Sequence, residues 1–136
     1  MKIKMRIAGF TLIELMIVVI LIAIIAKIAV AAYTAFETEA VRTDGIDGIL
    51  AISLAEEKYR TSNTLYGTLA QAYGGTSTSP QGYYTLSVTN VSATAYTITA
   101  VLVKGTDLQG VTSCTTLTYA VSNGTITKTP AVCWPS

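Results

Sequence analysis

From Phe10 to Ala35 the chain reads FTLIELMIVVILIAIIAKIAVAAYTA, an apolar stretch interrupted by two charges, Glu14 and Lys27. As a helix rising about 1.5 Å per residue it is long enough to cross a bilayer core of ~30 Å. Beyond it Ile46, Ile49, Leu50 and Leu54 recur at helical spacing, followed by Glu56, Glu57, Lys58 and Arg60. This predicts that the helix continues to about Thr61 and buries one stripe. Gly45 and Gly48 weaken it by ~1 kcal/mol each relative to alanine and mark a flexible joint. Residues 62–82 turn to Gly, Ser, Thr, Ala and Tyr, with Gly74-Gly75 and Pro80 as breakers, and read as a long surface connection. Then the period becomes two: Tyr84, Leu86, Val88; Tyr96, Ile98, Ala100, Leu102; Leu117, Tyr119, Val121. Asn123-Gly124 is a two-residue hairpin turn returning through Thr125, Ile126 and Thr127. The expected fold class is α+β: a long amino-terminal helix against an antiparallel sheet of about four strands. Its parts are 1–9, an apolar helix 10–35, and a domain 36–136 made of helix 36–61, loop 62–82 and sheet 83–136.

Composition narrows the chemistry. The 136 residues are 51% hydrophobic and 12% charged, with mean hydropathy +0.51 and no histidine. One modest domain fits that length, and the missing histidine removes the commonest general base and metal ligand. After Glu57 the only carboxylate is Asp107. Paired-carboxylate catalysis therefore has no candidates there, while Glu56 and Glu57, adjacent on a helix, read as a solvated face. No nucleophile elbow or phosphate-cradling loop appears, so neither an enzyme nor a cofactor is expected. Lys2, Lys4 and Arg6 precede the apolar run and hold their end cytoplasmic, which places the chain beyond it outside the inner membrane.

A secretory signal is cut after its apolar region at a pair of small residues; Ala29, Ala31 and Ala32 offer such residues but do not close the run cleanly. The processing point lies ahead of it, at Gly9-Phe10. The stretch Gly9-Phe10-Thr11-Leu12-Ile13-Glu14-Leu15-Met16-Ile17-Val18-Val19 resembles the prepilin signal of type IV pilins. The resemblance implies that a prepilin peptidase cuts after Gly9 and methylates Phe10. It also implies that Glu14 pairs with the amino terminus of a neighbouring subunit during fibre growth. A carboxylate one turn into the helix also complements the positive end of its dipole. Partners so implied are other pilin subunits, the peptidase, the inner-membrane assembly platform and the inner membrane itself; the end point is an extracellular pilus serving motility, adhesion or DNA uptake. The chain departs from the family at Ala23 and Ala31, where a helix glycine and proline are usual, and at Lys27. About 26 Å from Phe10 along a helix, Lys27 can snorkel to water at the far interface or meet Glu14 of another subunit.

Pro80 to Leu86, Ala95 to Ala100, Cys114 to Thr118 and the terminal Cys133-Trp134 look like the PilE/ComP group of small minor pilins. In an exported domain Cys114 and Cys133 read as a structural disulfide, as the family's carboxy-terminal bridge also implies; a metal site would need more ligands. Two alternatives share the amino-terminal motif. A pseudopilin of type II secretion holds calcium through several carboxylates, and Asp107 alone cannot supply them. A DNA-binding competence pilin needs a cationic surface. Without residues 1–9 the chain keeps six of its nine bases against all eight acids. The sheet region offers only Lys104 and Lys128, and Tyr83, Tyr84, Tyr96 and Tyr119 read as sheet-face residues before base-stacking ones.

Overall fold

The computed structural model describes residues 9–103 and 113–135; Lys2, Lys4, Arg6, Lys104 and Asp107 lie outside them. Helix α1 spans Leu12–Arg60. The chain divides into two compact units between Thr34 and Ala35. In the first unit every described residue is exposed, and α1 is long and apolar enough there to cross a membrane. This segment buries nothing of its own, so its apolar surface must be covered from outside the chain.

The second unit folds on the carboxy-terminal half of α1. Helix α2 (Leu69–Tyr73) follows within the connection expected to be loop; strands β1 (Tyr84–Thr89), β2 (Ala95–Leu102), β3 (Thr116–Ser122) and β4 (Thr125–Thr129) come next, then a 3₁₀ turn at Ala131–Cys133. All pairings are antiparallel, in the order β1-β2-β3-β4. Thr78 adds an isolated bridge to Thr85 outside β1. The β3–β4 turn places Asn123 at φ 48° and Gly124 at φ 77°, the left-handed pair that an Asn-Gly hairpin requires.

The period-two residues form the core face. Tyr84, Leu86, Tyr96, Ile98, Ala100, Leu117, Tyr119 and Val121 are buried, and Val41, Ile46, Ile49 and Ile52 supply the buried side of the helix. The helical stripe therefore differs from the expected one. Ile46 and Ile49 face inward, whereas Leu50 and Leu54 are 45% and 73% exposed. The reason is the glycines. Gly45 and Gly48 are buried. A Cβ on Gly45 would meet the Tyr84 ring at 2.9 Å, and one on Gly48 would meet Leu86 at 2.9 Å. They are points of closest approach between helix and β1, not a joint, and bringing that side of the helix down on the sheet turns Leu50 and Leu54 outward. Gly45→Val is expected to lower the stability of residues 35–136 by about 1–3 kcal/mol, read from urea unfolding. Unchanged stability would remove the close-approach role.

Candidate functional site

Gly9, Phe10 and Thr11 precede the first helical residue. Among the described residues a Cβ on Gly9 would meet nothing within 4 Å, and Phe10 is 81% exposed. The Gly9–Phe10 peptide bond thus lies outside the helical hydrogen-bond ladder of α1. The Thr11 side chain accepts from the Glu14 backbone N–H at 3.3 Å. Thr11-Leu12-Ile13-Glu14 has the T-x-x-E spacing of a capping box, a signal in the sequence that the pilin-like motif overshadows. A new α-amino group on Phe10 would stand at the positive end of the α1 dipole, where a nearby carboxylate offsets it.

The predicted site residues fall into two groups. Gly9, Phe10 and Glu14 are neighbours at one end of the chain in the first unit. Cys114 and Cys133 lie in the second, joined as a disulfide with Cα atoms 5.8 Å apart. The Tyr84 hydroxyl donates to the Cys114 carbonyl at 2.8 Å, which ties the bridge to the helix-facing side of β1. Trp134 packs beside Tyr119, ring centroids 6.1 Å apart.

Two buried carboxylates of α1 secure the connection between helix and sheet. Asp44 accepts from the Ser79 hydroxyl, from Gln81 N–H at 2.7 Å and from Tyr83 N–H at 3.2 Å; Ser79 in turn accepts from Tyr84 N–H at 2.9 Å. Charge-assisted bonds of this kind are about twice as strong as neutral ones. Glu56 corrects the expectation of a solvated Glu56-Glu57 face. Its side chain is fully buried; Oε2 accepts from Gly67 N–H at 2.8 Å, and Oε1 has no hydrogen-bond partner among the described residues. Glu57 stays exposed, with Oε1 accepting from the Tyr66 and Tyr96 hydroxyls at 3.2 and 3.4 Å.

Burial pushes the Glu56 carboxyl above its ordinary 4.5; the Gly67 N–H opposes that rise and neighbouring Glu57 adds to it. A carboxyl raised in the fold holds its proton more tightly folded than unfolded. Stability from this group is gained as pH falls through the raised value toward 4.5 and is lost as pH rises. Glu56→Gln should flatten that part of the pH dependence in residues 35–136 between pH 7.5 and 4.5. Superimposable stability profiles for the two proteins would refute it.

At the far end of α1, Arg60 donates to the Ala93 carbonyl at 3.2 Å and the Asn63 carbonyl at 2.7 Å, and its guanidinium lies 5.8 Å from the Tyr66 ring centre. Lys128 lies 5.3 Å from the Trp134 ring centre. Tyr84, Tyr96 and Tyr119 are buried and unavailable for stacking on bases. Among the described residues no cluster of three or more His, Cys, Asp or Glu could hold a metal ion.

A family model described as "Type IV minor pilin ComP, DNA uptake sequence receptor" matches residues 31–118, from within α1 into β3. A second, described as "Prokaryotic N-terminal methylation motif", matches residues 4–30, where the exposed peptide bond and the Thr11-capped helix start lie. Comparison with curated proteins yields no match. The first family spans well over half of the chain, including the helix–sheet core, and the second covers its apolar front; the chain belongs to the ComP-type minor pilins and is a subunit of the type IV pilus.

Proposed function

We propose that the chain is inserted in the inner membrane with residues 36–136 in the periplasm, cut by prepilin peptidase between Gly9 and Phe10, methylated there, and passed by the assembly platform into a pilus that serves DNA uptake. The exposed apolar half of α1 carries this reading. Its side chains need lipid before assembly and sister helices after it, and packing of small and branched side chains replaces lipid contact. Glu14 supplies the register: its carboxylate neutralises the amino terminus of an adjoining subunit, so correct addition removes an uncompensated charge from apolar surroundings. Nothing in this scheme calls for a cofactor, and the chain acts as a structural subunit rather than an enzyme.

The uptake role comes from the family description, and the charge balance limits how DNA is held. Among the described residues of the domain Lys58 and Lys128 are exposed, while Arg42 is half-buried and paired with Glu39 and Arg60 is half-buried and committed to carbonyls. With two or three phosphate contacts, log affinity should fall with log salt at a slope of only about −2 to −3. Deletion of the chain should leave filaments visible and abolish uptake of duplex DNA, and the purified domain should bind duplex with that shallow slope. Loss of all filaments would make it a principal subunit or an initiator. Absence of binding at low salt would assign DNA contact to another pilin.

A further inference from the structure

Lys27 is the charge in the apolar half of α1 that has no part in cleavage or in the pairing of amino termini. The positions three and four away on its face of the helix are Ala23, Ile24, Val30 and Ala31, and their side chains offer it no acceptor. The nearest carboxylates of the same helix are Glu14, 13 positions before it, and Glu37, 10 positions after it. At about 20 and 15 Å along the axis both are beyond the reach of one lysine side chain. Among the described residues Lys27 has no ion pair. It is exposed, as are Ile24, Ile25 and Ile28 around it. An ionised side chain within an apolar segment is costly, and its position calls for a use.

The cost differs between the two surroundings of the chain. In a bilayer Lys27 lies close to the far interface, about 26 Å from Phe10 in a core of ~30 Å, and its stem carries the ammonium group to water. Among packed helices neighbouring side chains fill that exit. The charge count is then unfavourable: the processed apolar half brings the Phe10 amino group, Glu14 and Lys27, two cations to one anion. With Glu14 taken by an amino terminus, each copy of the chain leaves one cation without a partner. Copies near one another add mutual repulsion, which a low dielectric keeps strong and salt screens little.

We propose that Lys27 limits how many copies of this chain a fibre accepts and keeps those copies apart, each among pilins of another kind whose helices bring no such surplus cation. This rests on the reading of the chain as a pilus subunit. Lys27 acts against self-polymerisation: it lowers the stability of any fibre rich in this chain and so selects mixed neighbours. A chain restrained in this way is a guest in filaments that stand without it.

The test raises the level of the full-length chain stepwise in its own cells and measures its amount relative to the principal pilin in sheared filaments by mass spectrometry. Chains are compared at equal abundance in the membrane fraction, which removes effects on insertion or turnover. The unaltered chain should reach a ceiling in filaments while its membrane pool keeps growing. Lys27→Met, which keeps a long unbranched side chain without the charge, should lift that ceiling several-fold; Lys27→Arg, which keeps the charge, should leave it in place. An unchanged ceiling with Lys27→Met, or an equal rise with Lys27→Arg, would overturn the proposal. A lower ceiling with Lys27→Met would overturn it as well, by showing that Lys27 attracts a neighbour's carboxylate. Absence of the unaltered chain from filaments at every level would instead overturn the pilus reading.

Discussion

Replacing Gly9 by valine is expected to leave the chain at its full 136 residues in the inner membrane, with none in filaments. Gly9 has open space around it, so the substitution should not disturb the chain itself; the loss falls on recognition by the peptidase. The consequences extend beyond cleavage. Uncut, the chain keeps Lys2, Lys4 and Arg6 ahead of the helix and lacks a free amino group at Phe10. Three cations carried into an apolar fibre interior would each cost at least ~2.5 kcal/mol on insertion scales, and Glu14 would lack the amino terminus proposed as its partner. Mass spectrometry of the membrane fraction gives the test. A product beginning at Phe10, or normal pili made of the uncut chain, would defeat the scheme.

Removing the disulfide should produce the largest loss of stability. Cys114 and Cys133 are 19 positions apart, and closing a loop of that size stabilises by about 3 kcal/mol through the entropy of the unfolded chain. Against total stabilities of ~5–15 kcal/mol that is a large share. Cys114→Ala combined with Cys133→Ala should lower the melting temperature of residues 35–136 by roughly 10–20 °C. The structure adds what the loop estimate omits. Cys133 is fully buried, Trp134 is nearly so, and Tyr84 holds the Cys114 carbonyl, so the tail around Tyr119 should loosen as well. A melting temperature within a few degrees of the parent would show that tail packing alone suffices.

Much of this fold was legible from periodicity. The alternation through Tyr84 to Val88, Tyr96 to Ala100 and Leu117 to Val121 marks the buried sheet face because side chains alternate sides with a period of two. Asn123-Gly124 marks its turn because few other pairs accept two positive φ values. That Gly9, Phe10, Thr11 and Glu14 stand together was legible because they are local in sequence and need no tertiary contact to do so. Positions decided by long-range contact were harder to read. Glu56 and Glu57 look alike in a string, and only the approach of Gly67 distinguishes the buried carboxylate from the exposed one. Gly45 and Gly48 have the composition of a hinge, yet the Tyr84 ring and Leu86 make them packing sites. Ile49 and Leu50 are equivalent hydrophobes until the sheet chooses a side. Asp44 gave no signal at all, since its three partners lie 35 to 39 residues away.

Strand β4 is exposed at all five of its residues, Thr125 to Thr129, and forms one edge of the sheet. A place in a pilus sets this edge close to the domains of other pilins, at an effective local concentration far above that of the free protein. An apolar edge would there invite sheet-to-sheet fusion between neighbouring subunits. Threonines around Lys128, and Pro130 directly after the strand with no backbone N–H to offer, keep β4 a poor template. An edge so composed suits a domain that must stand close to other subunits without its sheet joining theirs.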